Sequence, residues 1–294
     1  MSSKATTESG TPNKPSKADS NTTEHHAPIG NPRGLKWSNN SCEFDAILAV
    51  LFNIWQEDAM ERTVQFKDVN EEYLGQIVDG FSQTSLRDTG YTLEEVRDFL
   101  RRRLQRADPV AFPWGGYAGI QYIFDYLLCM DRFVTSSSVR CPNDHPLGRA
   151  QLVASSCQIS ILRQCPNIQA FVEDQSIECA SRCRVCHSHI VQRHVFEDAP
   201  PIIAFDMSQY QISLSESIVI TTTNGDRTTY KLKGVMYHHD NHFTSRFISK
   251  PGRVWFHDGI LTGRQMVQEG SIGSTELGSS HSRRAIACVY VIPC

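Results

Sequence analysis

The residues best placed by type and spacing to do covalent chemistry in this 294-residue chain are Cys42, His242 and Asp258. Cys42 follows Asn39-Asn40-Ser41 and opens an apolar run in which Phe44, Ile47, Leu48, Leu51, Ile54 and Trp55 recur at steps of three and four. That spacing predicts a helix starting at or beside the cysteine, with Asn40 or Ser41 as N-cap and the acids Glu43 and Asp45 in its first turn. The partial positive charge of a helix N-terminus favours a thiolate there. An isolated cysteine is more often a small core residue. A nucleophile needs more: a histidine to take its proton and an acid to orient that histidine. Residues 230–259 supply both, reading as strand, polar turn, strand, turn, strand. His242 opens the second strand and Asp258 closes the third, so antiparallel pairing sets the two side by side. Asp258 would then fix the imidazole tautomer and leave the other ring nitrogen for Cys42. His238, His239 and His257 are rivals by type, but His257, adjacent to Asp258, leaves its strand on the opposite face.

A second constellation could hold a metal. Cys141-Pro-Asn-Asp-His145 and Cys183-Arg-Val-Cys186 each lie in a polar turn between strand-like runs. Two short ligand pairs some forty residues apart suit a tetrahedral structural zinc at the tip of a β-ribbon. Cys179, His187 and His189 compete for ligand places, and free thiols with a surface histidine are the plain alternative.

The elements that must position these residues fall into two halves. Residues 1–33 hold almost no large apolar side chain and read as a disordered tail. The folded domain should run over 34–294. To about residue 132 the pattern is helical: an amphipathic segment at 70–81, a capping box at Thr92–Glu95 opening a helix to Arg106, and a third segment at 119–130. In the second of these, Leu93, Val96, Phe99, Leu100 and Leu104 are expected to face inward. Strand-like text follows at 134–140, 151–161, 188–196, 201–205, 217–222, 227–237, 242–248, 252–256 and 286–292. Helices first and strands afterwards imply an α+β fold with a largely antiparallel sheet. A formal charge of −3 offers no basic field for nucleic acid. No apolar run is long enough for a membrane span, and the N-terminus does not read as a signal peptide. The ten cysteines are therefore expected to be reduced, in an intracellular protein of cytoplasm or nucleus.

These motifs, in this order, resemble the ubiquitin-specific protease (USP) domain of papain-like cysteine isopeptidases. Gly34-Leu35 with Asn40-Ser41-Cys42 and the following apolar helix is similar to that family's cysteine box. His242-Phe243 with Trp255-Phe256-His257-Asp258 is similar to its histidine box. Residues 200–205, 230–235 and 287–292 resemble its flanking strands, and the Cys/His pairs fall where its fingers carry a zinc ribbon. The resemblance covers about residues 34–294. It implies a helical thumb over about 34–132, a β palm and zinc-bearing β fingers over about 133–294, and a cleft admitting a Gly-Gly tail. It also implies Cys42 as nucleophile, His242 as general base and then acid, and Asp258 as orienting acid. Structural zinc would be bound by Cys141, His145, Cys183 and Cys186, and the partner would be ubiquitin or a SUMO-like modifier with its conjugates.

Two positions depart from the family pattern. Trp37 stands where an asparagine five residues before the cysteine usually helps bind the oxyanion, leaving Asn39 or Asn40, with the Cys42 N–H, as candidate donors. Cys42-Glu-Phe-Asp45 replaces the usual Tyr-Met-Asn after the cysteine, a Cys-x-x-Asp pattern that resembles the branch acting on SUMO. Trp37, and the acids flanking Cys42, which oppose a low thiolate pKa, also suit an inactive module that keeps the fold to bind a modifier or another partner protein.

Overall fold

Why the first helix should be buried so completely is answered by its neighbours. In the computed structural model, which describes Met1 and residues 31–86, 90–147 and 152–294, helix α1 (Cys42–Glu57) is buried without interruption from Cys42 to Trp55. It lies between other helices on one side and a large sheet on the other, so both its faces are core faces. The sequence periodicity marked only one of them. Residues 31–294 form one compact unit. Most of the expected tail, residues 2–30, lies outside the described residues. Arg33, placed in that tail by composition, bonds through its N–H and C=O to the buried Asn53 side chain of α1, at 3.0 and 2.7 Å.

The remaining helices of the first half are α2 (Ala59–Val69), α3 (Gln76–Ser85), α4 (Leu93–Ala107) and α5 (Ile120–Leu127). A π-helical turn, Glu71–Gly75, leads into α3, so the segment read as one helix over 70–81 has two geometries. α2 carries no clear apolar stripe and was not anticipated; only Arg62, Phe66 and Val69 of it are buried. α4 opens with the expected capping box, Thr92 accepting from the Glu95 N–H and Glu95 from the Thr92 N–H. Its inward face differs from the expectation at one place. Phe99 is 42% exposed, whereas Arg97 and Arg101 are buried. Arg97 pairs with the buried Asp45 of α1 and Arg101 binds the Ser38 and Asn39 carbonyls, which outranks burying one more ring.

The described strands form two sheets. A four-stranded antiparallel sheet runs in the order β2 (Leu152–Ala154), β1 (Thr135–Arg140), β5 (His189–Phe196), β4 (Ser176–Arg182). The nine-stranded sheet has its main path β11 (Val267–Ser271), β10 (Arg253–His257), β9 (His242–Ile248), β8 (Arg227–His239), β13 (Arg283–Val291), β6 (Ile202–Asp206), β3 (Gln158–Ser160). β7 (Ser217–Thr221) pairs with β8, β12 (Ser279–Ser280) pairs with β13, and only the β3–β6 pairing is parallel among the described strands. The span read as one strand over 151–161 is two short strands, β2 and β3, serving different sheets; Gln151 itself lies outside the described residues. β4, β11, β12 and the short helix α6 (Ile168–Glu173) lacked a readable period.

α1 packs directly on β8 and β9. A side chain at Gly234 of β8 would place its Cβ 2.2 Å from Val50 Cγ1, so glycine is what lets helix and strand approach this closely. The far end of α1 is fixed by a buried ion pair, Glu57 Oε2 to Lys233 Nζ at 2.5 Å. The helix that begins with Cys42 is thus fastened to the strands that carry His242. No helix of the described residues is long and apolar enough to cross a membrane.

Candidate active site and metal centre

β8 and β9 are joined by a two-residue turn, Asp240-Asn241, with both residues at positive φ (49° and 58°). Such a turn matches the twist of a hairpin and is favoured by short polar side chains. It places His242 at the first position of β9, opposite His239. β10 pairs antiparallel with β9, with His257 opposite Ser245, so Asp258 emerges at the end of the sheet where β9 begins. His242 Nε2 lies 3.0 Å from Asp258 Oδ1. The same oxygen accepts the N–H groups of Ile260 and Leu261, at 2.9 and 3.2 Å. Burial opposes the Asp258 charge, but the His242 contact and these N–H donors outweigh it and hold the carboxyl down at about 2.

The Cys42 thiol lies against the same turn. Its Sγ is 3.9 Å from the carbonyl oxygen of Asn241 and also meets the Phe243 N–H, so it faces the backbone on both sides of His242. With Nε2 turned to Asp258, Nδ1 is the ring nitrogen left to serve the thiol. The helix N-terminus does not produce the expected thiolate. Burial, and next the Glu43 carboxylate, push the Cys42 thiol up to about 12. The S–H points to Glu43 Oε2 at 3.4 Å, while Glu43 Oε1 accepts the Ala118 N–H at 3.0 Å. Desolvation and a neighbouring anion exceed what a helix terminus contributes.

The loop before the cysteine is held by α4. Arg97 Nη1 reaches Asp45 Oδ1 at 3.0 Å and the Lys36 carbonyl at 2.8 Å. Ser41 makes no side-chain cap; its hydroxyl donates to Asp45 Oδ2 at 2.7 Å. Of the candidate oxyanion donors, Asn40 is already committed, its Nδ2 donating to the Gly115 carbonyl at 2.8 Å. Asn39, at φ 53°, lies against Gly115, where a Cβ would meet its Oδ1 at 2.9 Å. Trp37 packs on the Gly259 turn beside Asp258, its N–H bonded to the Gly259 carbonyl at 2.9 Å.

The rival histidines are otherwise occupied. His257 is buried, its Nε2 3.0 Å from both the N–H and the carbonyl of Leu35, and burial lowers its pKa. His238 packs on the Phe243 ring, and His239 Nδ1 faces Asp240 at 2.8 Å.

At the end of the four-stranded sheet, Cys141, His145, Cys183 and Cys186 bring four donor atoms within 4.8 Å of one another and could hold one metal ion. Cys141 Sγ is 3.4 Å from Cys186 Sγ and 3.5 Å from His145 Nδ1. Two turn N–H groups, from Asn143 and Val185, point at the Cys141 and Cys183 sulfurs at 3.4 Å. The left-handed residues Asp144 and His187 close these turns. Of the competing ligands, Cys179 Sγ faces the Ile177 carbonyl and His189 the Cys179 carbonyl, outside the cluster.

Sequence reasoning found these groups but missed Arg97 and Arg101. Their only signal was two cations at i and i+4 on the apolar face of α4, a pattern that ordinarily reads as a surface stripe.

No protein-family model and no curated protein matches the sequence. Solved structures do match in shape. Ubp8 in the SAGA DUB module with Sgf11, Sus1 and Sgf73, bound to monoubiquitin, aligns at 11% identity and TM-score 0.51, over 89% of this chain and 69% of that one. A yeast SAGA DUB module carrying an Sgf73 mutant aligns at 10% identity and TM-score 0.51, over 89% and 68%. The mixed helix-and-sheet architecture described above is therefore a USP-like fold.

Proposed function

We propose that the chain is a zinc-containing thiol isopeptidase that cleaves the amide between the C-terminus of ubiquitin, or of a ubiquitin-like modifier such as SUMO, and a lysine. The observation that carries the reading is the His242–Asp258 pair, closed at 3.0 Å in the turn against which the Cys42 thiol rests. Deubiquitinating modules of the same fold, one of them bound to monoubiquitin, support the substrate class. In this reading the helices to about residue 132 are the thumb, the nine-stranded sheet the palm, and the four-stranded sheet the fingers.

The chemistry follows from the groups in place. Cys42 is held as a thiol, so His242 Nδ1 takes its proton as Sγ bonds to the scissile carbonyl carbon. The carbonyl oxygen becomes an oxyanion. His242 then returns the proton to the lysine nitrogen as the C–N bond breaks, leaving a thioester on Cys42. A water molecule, deprotonated by His242, releases the modifier and restores the thiol. Asp258 stays ionised throughout and steadies the imidazolium. Cleavage of an isopeptide-linked ubiquitin or SUMO conjugate by the wild type, and its loss in Cys42→Ala with an unchanged melting temperature, is the expected result. Cleavage that survives the substitution would remove Cys42 from the mechanism.

The metal in this reading is zinc. Zn–S bonds of about 2.3 Å in a tetrahedron need sulfurs about 3.8 Å apart, close to the spacing of the cluster. Metal analysis of the purified chain should give one zinc per molecule, and Cys183→Ser with Cys186→Ser should lose it. Zinc kept by the double variant would contradict the ligand set.

A second reading is favoured by one feature, the Glu43 carboxylate on the Cys42 thiol. A nucleophile held this firmly protonated suits a module that binds a modifier without cleaving it. Binding of ubiquitin or SUMO by the wild type without any conjugate cleavage would select it.

A further inference from the structure

The loop 36–41 enters α1 with its carbonyls drawn toward α4. Arg101 Nη2 binds the Asn39 carbonyl at 2.7 Å and its Nη1 the Ser38 carbonyl at 3.4 Å. Arg97 Nη1 binds the Lys36 carbonyl at 2.8 Å and Asp45 at 3.0 Å, and reaches Ser41 Oγ at 3.3 Å. Both guanidinium groups are buried, at 2% and 4% exposure. Arg97 has two carboxylates, Asp45 and Asp98. Arg101 has none within ion-pairing distance among the described residues; its remaining contacts are the Phe44 and Trp114 rings at 5.5 and 4.8 Å. A desolvated cation without a paired anion is costly, so its carbonyl partners are what it is there to hold.

Holding those carbonyls fixes the opposite ends of the same peptide units. In a trans peptide the N–H points away from its C=O, so the N–H groups of Asn39 and Asn40 turn away from α4. Asn40, at φ 52°, is followed by Ser41 at φ −101° and ψ 6°. Such a change of hand gathers successive N–H groups on one side of the chain. Among the described residues, the N–H groups of Asn39, Asn40, Ser41 and Cys42 have no acceptor. The Asn40 amide is bound to Gly115.

We infer that Arg97 and Arg101 are positioning residues for the reaction: they set the main chain before Cys42 so that its N–H groups, in place of a side-chain amide, receive the oxyanion. The inference rests on the proposed isopeptidase reading. It also explains why α4 turns two arginines inward and leaves Phe99 outside.

Arg101→Met and Arg101→Lys in the full chain test it, with whichever ubiquitin or SUMO C-terminal fluorogenic amide the wild type turns over. Oxyanion donors typically contribute about 100-fold or more to turnover. Arg101→Met should lower kcat on the order of 100-fold with KM within about twofold. Alkylation of Cys42 by iodoacetamide, which passes through no oxyanion, should change only a few-fold, because Arg101 reaches the thiol through Glu43 alone. Arg101→Lys keeps the charge but not the two-carbonyl fork and should fall between. It decides the matter if the Met variant does not fold. Arg102→Met, on the neighbouring side of α4, should change neither rate. Normal kcat in the Arg101 variants, or equal losses of kcat and alkylation, would overturn the positioning role. A wild type that turns over no substrate overturns the isopeptidase reading itself, and the role falls with it.

Discussion

Asp258→Asn is expected to leave the protein folded and to slow turnover by roughly 10³–10⁴-fold, the scale seen when the orienting acid of a hydrolytic triad becomes an amide. Asp258 Oδ1 accepts His242, Ile260 and Leu261 together. An asparagine oxygen can keep the two turn N–H groups, so the turn should survive. It cannot steady an imidazolium as an ionised carboxylate does, and its NH₂ group can permit the wrong tautomer. With the carboxyl held at about 2, wild-type activity should show no acid limb from this residue above about pH 4. Asp45→Asn should behave in the opposite way. Asp45 is 1% exposed and paired with Arg97, itself 2% exposed. Losing Asp45 leaves Arg97 only the partly exposed Asp98 as counter-ion, at a cost of up to about 3 kcal/mol. The loss should appear as a lower melting temperature rather than a selective loss of kcat. Were Asp45→Asn stable but slow and Asp258→Asn fully active, the acid assigned here would be wrong.

Glu43→Gln is expected to raise the alkylation rate of Cys42 at pH 8 about tenfold, which corresponds to a fall of about one unit in the thiol pKa. The thiol faces Glu43 and Asp45 from its own helix, and the Asn241 carbonyl and Phe243 N–H from the β8–β9 turn and β9. Arg101 of α4 acts on Glu43. Removing the nearest anion favours the thiolate, so the pKa must fall. Burial is the larger cause of the elevation and remains, so the pKa should stay above that of an ordinary cysteine. The wild-type alkylation rate should still be climbing at pH 10, and the Glu43→Gln curve should lie to its acid side. Superimposable pH profiles would show that Glu43 does not hold the thiol proton.

How much of this was legible in the sequence depended on what kind of interaction made each feature. The hairpin placing His242 and the strand ending at Asp258 are local events, written in a polar turn and period-two apolar runs, and could be read directly. The four metal-ligating candidates were readable because each pair shares one tight turn. Features set by distant partners were not. Arg97 and Arg101 look like surface charges until Asp45, Glu43 and the loop carbonyls are seen opposite them. The acids flanking Cys42 were legible as opposing a thiolate, but its burial, the larger cause, and the orientation of Glu43 were not. The commitment of Asn40 to Gly115 spans 75 residues of chain. β4 and β11 alternate too weakly to announce themselves, since much of each faces solvent.

Cys42, served by His242, is proposed to attack the C-terminal carbonyl of a ubiquitin-like modifier. That attack is tested most directly by incubating the full chain with ubiquitin and with SUMO carrying a C-terminal propargyl electrophile, then mapping any adduct by peptide mass spectrometry. One covalent adduct is expected, on Cys42, with at least one of the two modifiers, and it should be lost in His242→Ala. An adduct on another cysteine, or tight binding of either modifier with no adduct at all, would contradict it.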